Sequence, residues 1–307
     1  MTYKILLFLI RTIAMLPLWV LYRLSDLLYF LVYYVVRYRR RLVRRNLTDS
    51  FPDRSATEIT AIEKRFYSWF CDYLVETIKL FSISPSEMRH RMRIEGIEQA
   101  DADVAAGRSV TLLLGHYCNW EWFSSYGLND HSGAMLAQLY HTLESPVADR
   151  LFLYARGRGG VQSLEMKAAF QILLGWKRAG KQSITGYIID QSPGFHSMHY
   201  WPMFLNHDTP AYTGAERIAR VLDTTVYYID ISRPQRGYYV ARMVKMCHRT
   251  HDIPKFLITE NFYRLLEQSI QAHPEFWLWS HNRWKRTRAD FNATFDEAER
   301  TRILSKL

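Results

Sequence analysis

The sequence predicts an α/β fold: a layered domain with a central mixed sheet flanked by helices, preceded by an N-terminal membrane-associated helix. Three observations carry this. From about residue 97 onwards, apolar runs of strand length alternate with segments of helical period. Residues 4–36 form the most apolar part of the chain, and six arginines crowd residues 37–45 directly behind it. With 307 residues, 48% hydrophobic and 23% charged, the chain is large enough to bury a core. That balance excludes wholesale disorder and a polytopic membrane protein.

The N-terminal stretch is interrupted. Its charge-free runs are 5–10, 12–22 with Pro17 inside, and 27–36. None reaches the roughly 18 residues of an uninterrupted spanning helix. A compact apolar core with a small-residue cleavage site is absent, so the segment does not read as a secretory signal. Beside the plain alternative of a buried core helix followed by a solvated basic turn, two membrane arrangements fit. One tilted helix crosses the bilayer, with Arg23 and Asp26 neutralising each other three residues apart, or the segment lies in the interface. The charge distribution favours a membrane in either case. Residues 1–45 hold nine basic side chains against Asp26 alone, whereas the remaining 262 residues hold 31 basic and 29 acidic ones. A nucleic-acid binder spreads its basic face over the folded domain. Cations beside the greasiest segment instead match anionic head groups and place the rest of the chain in the cytosol. Aromatic residues, at 15%, suit greasy pockets and membrane interfaces. The chain accordingly divides into an anchor with its basic juxtamembrane segment, residues 1–45, and a globular domain, residues 46–307. Cys71, Cys118 and Cys247 stand far apart without a CxxC pair, as expected of reduced thiols facing the cytosol.

Within the domain, Ser55 and Glu58 form a capping box for an amphipathic helix over 55–81. A short helix over 97–106 stops at Gly107, and 109–114 is a buried strand with a helix beginning near Asn119. A strand over 135–140 precedes a helix capped by Ser145, with Pro146 at its first position. Residues 163–179 read as a helix ending at Gly180. Strands follow at 183–189 and 225–231, the latter paired with 237–244 through a turn at 234–237. A last helix over 255–271 is closed by Pro274.

Neither GxGxxG nor GxxxxGK[ST] is present, so nothing suggests a nucleotide phosphate cradle. The chemically informative stretch is 112–123, LLLGHYCNWEWF. His116 follows a greasy strand at once, and Glu121 comes five residues later. Five residues along a helix span about 500°, so the two meet only if His116 sits in the turn and Glu121 in the first helical turn, with Asn119 as N-cap. A carboxylate there would fix the imidazole tautomer and stabilise the imidazolium formed as a proton is taken. Cys118 invites a nucleophile reading that lacks an aligned base. His196, His199 and His207 lack the carboxylate spacing of a metal site. His281, Arg283, Lys285, Arg286 and Arg288 make a basic C-terminal run, either a docking patch or a solvated face.

His116-Tyr-Cys-Asn-Trp-Glu121 resembles the HX4E form of the HX4D/E motif of glycerolipid acyltransferases, and more specifically the bacterial late acyltransferases of lipid A biosynthesis. Other blocks agree in order and spacing: the basic run 39–45 with Asn46-Leu47 and Phe51-Pro52, Arg156-Gly-Arg158-Gly-Gly160, Asp190-Gln191, and Pro274-Glu275 through Trp277–Trp279 to Lys285. The resemblance implies a glycerolipid-acyltransferase-like catalytic domain on the cytoplasmic face of the bacterial inner membrane. It implies acyl transfer from acyl carrier protein to a hydroxyl of a lipid acceptor, with no cofactor or metal. His116 would be the general base, Glu121 would orient it, and backbone N–H groups near Asn119 would steady the oxyanion. Arg156 and Arg158 would bind a phosphate, and Asn119 would line the substrate site; Asp190, at a strand end, would either line the mouth of that site or cap the following turn. After Asp190-Gln191 the chain runs Ser-Pro-Gly-Phe-His-Ser-Met-His, without that family's usual acidic and glycine pattern. This departure leaves the acceptor open among lipid A precursors, other lysolipids, aminolipids and glycolipids. A non-catalytic lipid-binding platform is the rival from another class.

Overall fold

The computed structural model describes residues 2–306. Helix α1 (Thr2–Ala14) is separated from α2 (Leu18–Phe30) by Pro17, whose missing N–H cannot continue the ladder. Helix α2 runs on through a π-helical turn, Leu31–Val36. Next come α3 (Arg40–Ser50) and α4 (Ala56–Lys79), the latter opened by the expected capping box, with Ser55 and Glu58 bonded reciprocally. Helix α5 (Pro85–Arg91) leads into a short strand β1 (Met92–Glu95), which the sequence does not announce. Helix α6 (Ile97–Ala105) and strand β2 (Val110–Leu114) fall where expected.

The helix expected near Asn119 is not α-helical. Cys118 takes a left-handed φ of 55°, its N–H donates to the carbonyl of Phe276, and only a 3-10 helix forms, over Trp122–Leu128. The long-range bond turns the chain before an α-helix can start. Strand β3 (Met135–Tyr140) and helix α7 (Pro146–Gly157) match the reading. The single helix expected over 163–179 is instead strand β4 (Gln162–Glu165) followed by α8 (Met166–Arg178). There, edge pairing with β3 overrides helical propensity. The remaining elements are β5 (Ser183–Ile188), a two-residue hairpin of β6 (Met203–Phe204) and β7 (His207–Asp208), α9 (Gly214–Leu222), β8 (Thr225–Gln235), β9 (Tyr238–Cys247), α10 (Leu257–Ala272), α11 (Arg288–Thr294) and α12 (Glu297–Leu304).

Seven strands form one sheet in the order β1-β9-β8-β2-β5-β3-β4, parallel throughout except for the β8–β9 hairpin. Every residue of β2 is buried, as a central parallel strand with both faces covered requires. Its neighbour β5 comes 74 residues later at matching register, with Leu112 opposite Gly186 and Leu114 opposite Ile188. The carboxyl ends of these two strands therefore lie side by side, the place where ligands bind in parallel α/β sheets. One continuous apolar core extends from Ala14 in α1 through α4 and the sheet to Trp279.

Candidate active site

Two residues beyond the end of β2 stands His116, and two beyond the end of β5 stands Asp190. Gly115 lets α10 pack close to this turn, since a Cβ there would come within 2.8 Å of the Leu266 side chain. The Asp190 carboxylate is almost wholly enclosed and uses both oxygens. Oδ1 lies 2.6 Å from His116 Nδ1, while Oδ2 accepts from the His116 backbone N–H at 2.9 Å and the Trp277 indole at 2.8 Å. Burial alone would raise its pKa. The adjacent imidazole and these three hydrogen bonds outweigh burial and hold it at about 2. An ionised carboxylate on Nδ1 keeps the proton on that nitrogen and leaves the Nε2 lone pair free. Nε2 faces a cavity and the amide of Gln191, 3.2 Å away.

The C-terminal segment fixes this turn from outside. Tyr117 pairs with Trp277 as an isolated bridge, Cys118 N–H donates to Phe276 O, and Leu278 N–H donates to His116 O. Asn46 of α3, wholly buried, donates to the carbonyls of Trp279 and His281 and ties the segment down. The blocks around Asn46 and Trp277 thus act together on the loop that presents the histidine.

The cavity in front of Nε2 has a volume of about 600 Å³. Its far wall is the sheet face carrying Leu112, Leu114, Leu136 and Gly186, covered by Phe170 of α8 and Ile218 of α9. Its near end holds His116, Gln191, Glu121 and Arg156. An apolar slot with a few convergent polar groups at one end is the form of a site for a long apolar chain with a reactive head.

Comparison with known proteins identifies the family. Residues 2–286 match the family model described as bacterial lipid A biosynthesis acyltransferase. The chain belongs to that family. It is 24% identical over 277 residues to the lipid A biosynthesis lauroyltransferase of Escherichia coli strain K12, covering 89% of this chain and 88% of that protein. The protein is therefore an acyltransferase of the lipid A family, with a mixed α/β fold.

In this acyltransferase, Glu121 does not meet the histidine it was expected to orient. Its carboxylate forms a two-point pair with Arg156, Nε to Oε2 at 2.9 Å and Nη2 to Oε1 at 2.6 Å. Both line the cavity, but the partner of His116 Nδ1 is Asp190. Arg158 points elsewhere: it is exposed, lies outside the main cavity and donates to the carbonyl of Ile83. The glycines beside it explain that block, since a Cβ on Gly159 would lie 2.1 Å from the Ser124 carbonyl oxygen. Asn119 is fully buried. Its Oδ1 caps Trp122 N–H at 3.0 Å and its amide donates to Glu76 at 2.7 Å, so it holds the turn, and it does not line the cavity. Of the N–H groups near the expected oxyanion site, those of Cys118 and Trp122 are already taken. The Cys118 thiol is fully buried and its pKa is pushed up by that burial, the opposite of an activated nucleophile.

The loop histidines stand apart. His199 is bonded to Ile303 O, His207 stacks on Trp284, and His196 packs against Phe295. The C-terminal run is not one solvated face either, because Arg283 is buried and Arg288 pairs with Asp208. His281 of that run approaches the site, accepting from Ser192 N–H at 3.4 Å, and burial drives its pKa down to about 4, leaving it neutral.

Behind the turn, Glu76 of α4 is fully buried and accepts from Asn119, Tyr22 and Tyr239. Burial raises its pKa to about 7 despite Arg233 and these donors. With the unfolded value near 4.3, the folded state binds the extra proton between the two values. This group therefore favours folding most below about pH 4, and its contribution is lost as pH rises through about 7. Glu76→Gln, which keeps the volume and cannot ionise, should remove this part of the pH dependence. Urea unfolding at pH 5 and pH 8 should show a smaller stability difference for the variant than for the wild type.

Proposed function

We propose that the protein moves a fatty acyl chain from acyl carrier protein to a hydroxyl of a lipid A precursor, with His116 as general base and Asp190 as the group that orients it. The observation that carries this reading is a histidine whose Nδ1 is held by an ionised carboxylate while Nε2 opens onto an apolar cavity. The acyl chain lies along the sheet face, and its thioester stands at the polar end. Nε2 takes the proton of the acceptor hydroxyl, displacing the Gln191 amide, as the oxygen attacks the thioester carbon. The tetrahedral intermediate collapses with cleavage of the carbon–sulfur bond. The imidazolium returns its proton to the departing thiolate, so the base is regenerated. The Asp190 carboxylate favours the imidazolium in between, by charge and by its hydrogen bond. Arg156, held by Glu121, forms the cavity wall beside the reacting end and offers its remaining N–H to an anionic group of either substrate. The cytoplasmic face of the inner membrane is where donor and acceptor meet; free thiols and the N-terminal arginines suit that location.

Mass spectrometry of the host's lipids with and without the gene tests this. Lipid A should be lighter by one acyl chain in the deletion strain and restored by the wild-type gene. Loss of an acyl chain from another lipid class would keep the chemistry and move the acceptor. An unchanged lipid profile would sink the enzymatic reading. Purified protein supplied with acyl carrier protein or coenzyme A thioesters separates the two donors.

A further inference from the structure

Helix α2 with its π-helical extension is 19 residues long, Leu18–Val36, and by length and composition matches a span of about 30 Å. Its packing argues otherwise. The inward stripe of the N-terminal segment is bonded to α4 from one end to the other. Lys79 Nζ donates to the carbonyls of Ala14 and Leu16, at 2.9 and 3.0 Å. Further along, Tyr22 donates to Glu76 and Ser25 to Asp72, each at 2.7 Å, and Arg40 donates to Glu63 at 3.2 Å. Asp26, midway along α2, is paired at 2.7 Å with Arg236 from the β8–β9 turn. If α2 crossed a bilayer, α4 would have to cross beside it. That helix carries Glu63, Lys64, Arg65, Asp72, Glu76 and Lys79, with Lys64 and Arg65 exposed. The same Glu76 also holds the active-site turn through Asn119, and Tyr73 packs against Trp120. Hydrocarbon does not accept such a helix unless its charges face a protein interior or water.

The outward stripe has the opposite character. Of the 22 large apolar side chains exposed among the described residues, sixteen lie between Ile5 and Tyr38, with Phe8 and Trp19 each 69% exposed. Exposed arginines, Arg11, Arg23, Arg37 and Arg41, are interleaved with them. An apolar stripe edged by cations along a helix that is held flat against its own domain fits one occupant, a single leaflet with anionic head groups.

We propose that residues 2–36 dock lengthwise into one leaflet without crossing it, so that the N-terminus lies on the same side of the membrane as the catalytic domain. The proposal rests on the acyltransferase reading only for which membrane is met, and its test needs no turnover. The full chain is prepared with Cys247→Ser and a polar N-terminal tag bearing one cysteine, alongside an untagged Ser305→Cys control. Both are exposed to a membrane-impermeant maleimide in inverted inner-membrane vesicles and in right-side-out spheroplasts. Tag and control should both react in inverted vesicles and neither in spheroplasts. A tag that reacts only from the periplasmic side overturns the proposal, as does recovery of the protein wholly in the soluble fraction. In a second measurement, the triple change Trp19→Glu, Leu27→Glu and Phe30→Glu should weaken binding to phosphatidylglycerol-containing vesicles at least tenfold. Its urea midpoint should stay unchanged, because these side chains are exposed. Undiminished vesicle binding would also overturn the proposal.

Discussion

Replacing Asp190 by asparagine should lower turnover by on the order of 10^4-fold while leaving the protein folded, by the same tautomer argument that applies to serine-protease triads. The side chain must satisfy two fixed donors on one side, the His116 backbone N–H and the Trp277 indole, both bonded to Oδ2. An asparagine keeps those bonds by placing its single oxygen there. Its NH2 group then faces His116 Nδ1, which must become an acceptor, and the ring proton moves to Nε2. The base is thereby blocked on the nitrogen that faces the cavity. His116→Ala should lose a comparable amount, and the double variant little more than either, because the two act as a unit. Steady-state kinetics on purified protein measures all three, with circular dichroism as the check on folding. A variant D190N that retained turnover within tenfold would remove Asp190 from the mechanism.

The histidine is legible in the sequence, and its partner is not, for a physical reason. An uninterrupted apolar run ending in glycine and then histidine marks the end of a buried parallel strand, and β2 sits where that run puts it. Asp190 lies 74 residues away and becomes a neighbour only because β5 pairs with β2, a strand order that hydrophobic periodicity does not encode. The sequence marks Asp190 as a strand-end residue that the resemblance draws towards the substrate site, not as the partner of the histidine. Glu121 draws attention through local spacing, but local spacing assumes a regular helix after the turn. The left-handed Cys118 and the Tyr117–Trp277 bridge send the chain another way, towards Arg156. Arg156 and Glu121 are each visible as candidates, and their pairing is not. Helices with capping signals, such as those opened by Ser55 and Ser145, match the reading closely. The short strands β1, β4, β6 and β7 escape it because two to four residues leave no readable period. Asn46 stands in a block that the resemblance picks out and Glu76 in none, but the role of either shows only once the fold buries them against the active-site loop.

Glu121→Ala should act on stability first and on chemistry second, by about 3 kcal/mol or more in urea unfolding. The carboxylate is 5% exposed and its only bonded partner among the described residues is Arg156, itself 22% exposed. Removing it strands a guanidinium in the cavity wall, whereas removing both charges together does not. The double variant Glu121→Ala with Arg156→Ala should therefore be less destabilised than the two single changes summed, and a double-mutant cycle measures the difference. The His116–Asp190 pair should behave in the opposite way, with large kinetic effects and an unpaired base that still reaches solvent through the cavity. The contrast makes Glu121→Gln the decisive variant. Gln keeps the shape and one acceptor for Arg156, so a structural carboxylate predicts weakened stability with turnover reduced only in proportion to the displaced wall. If Glu121→Gln instead lost turnover by thousands-fold at unchanged stability, the orientation of the base would belong to Glu121 in the substrate complex, and His116 would have to leave Asp190 to reach it.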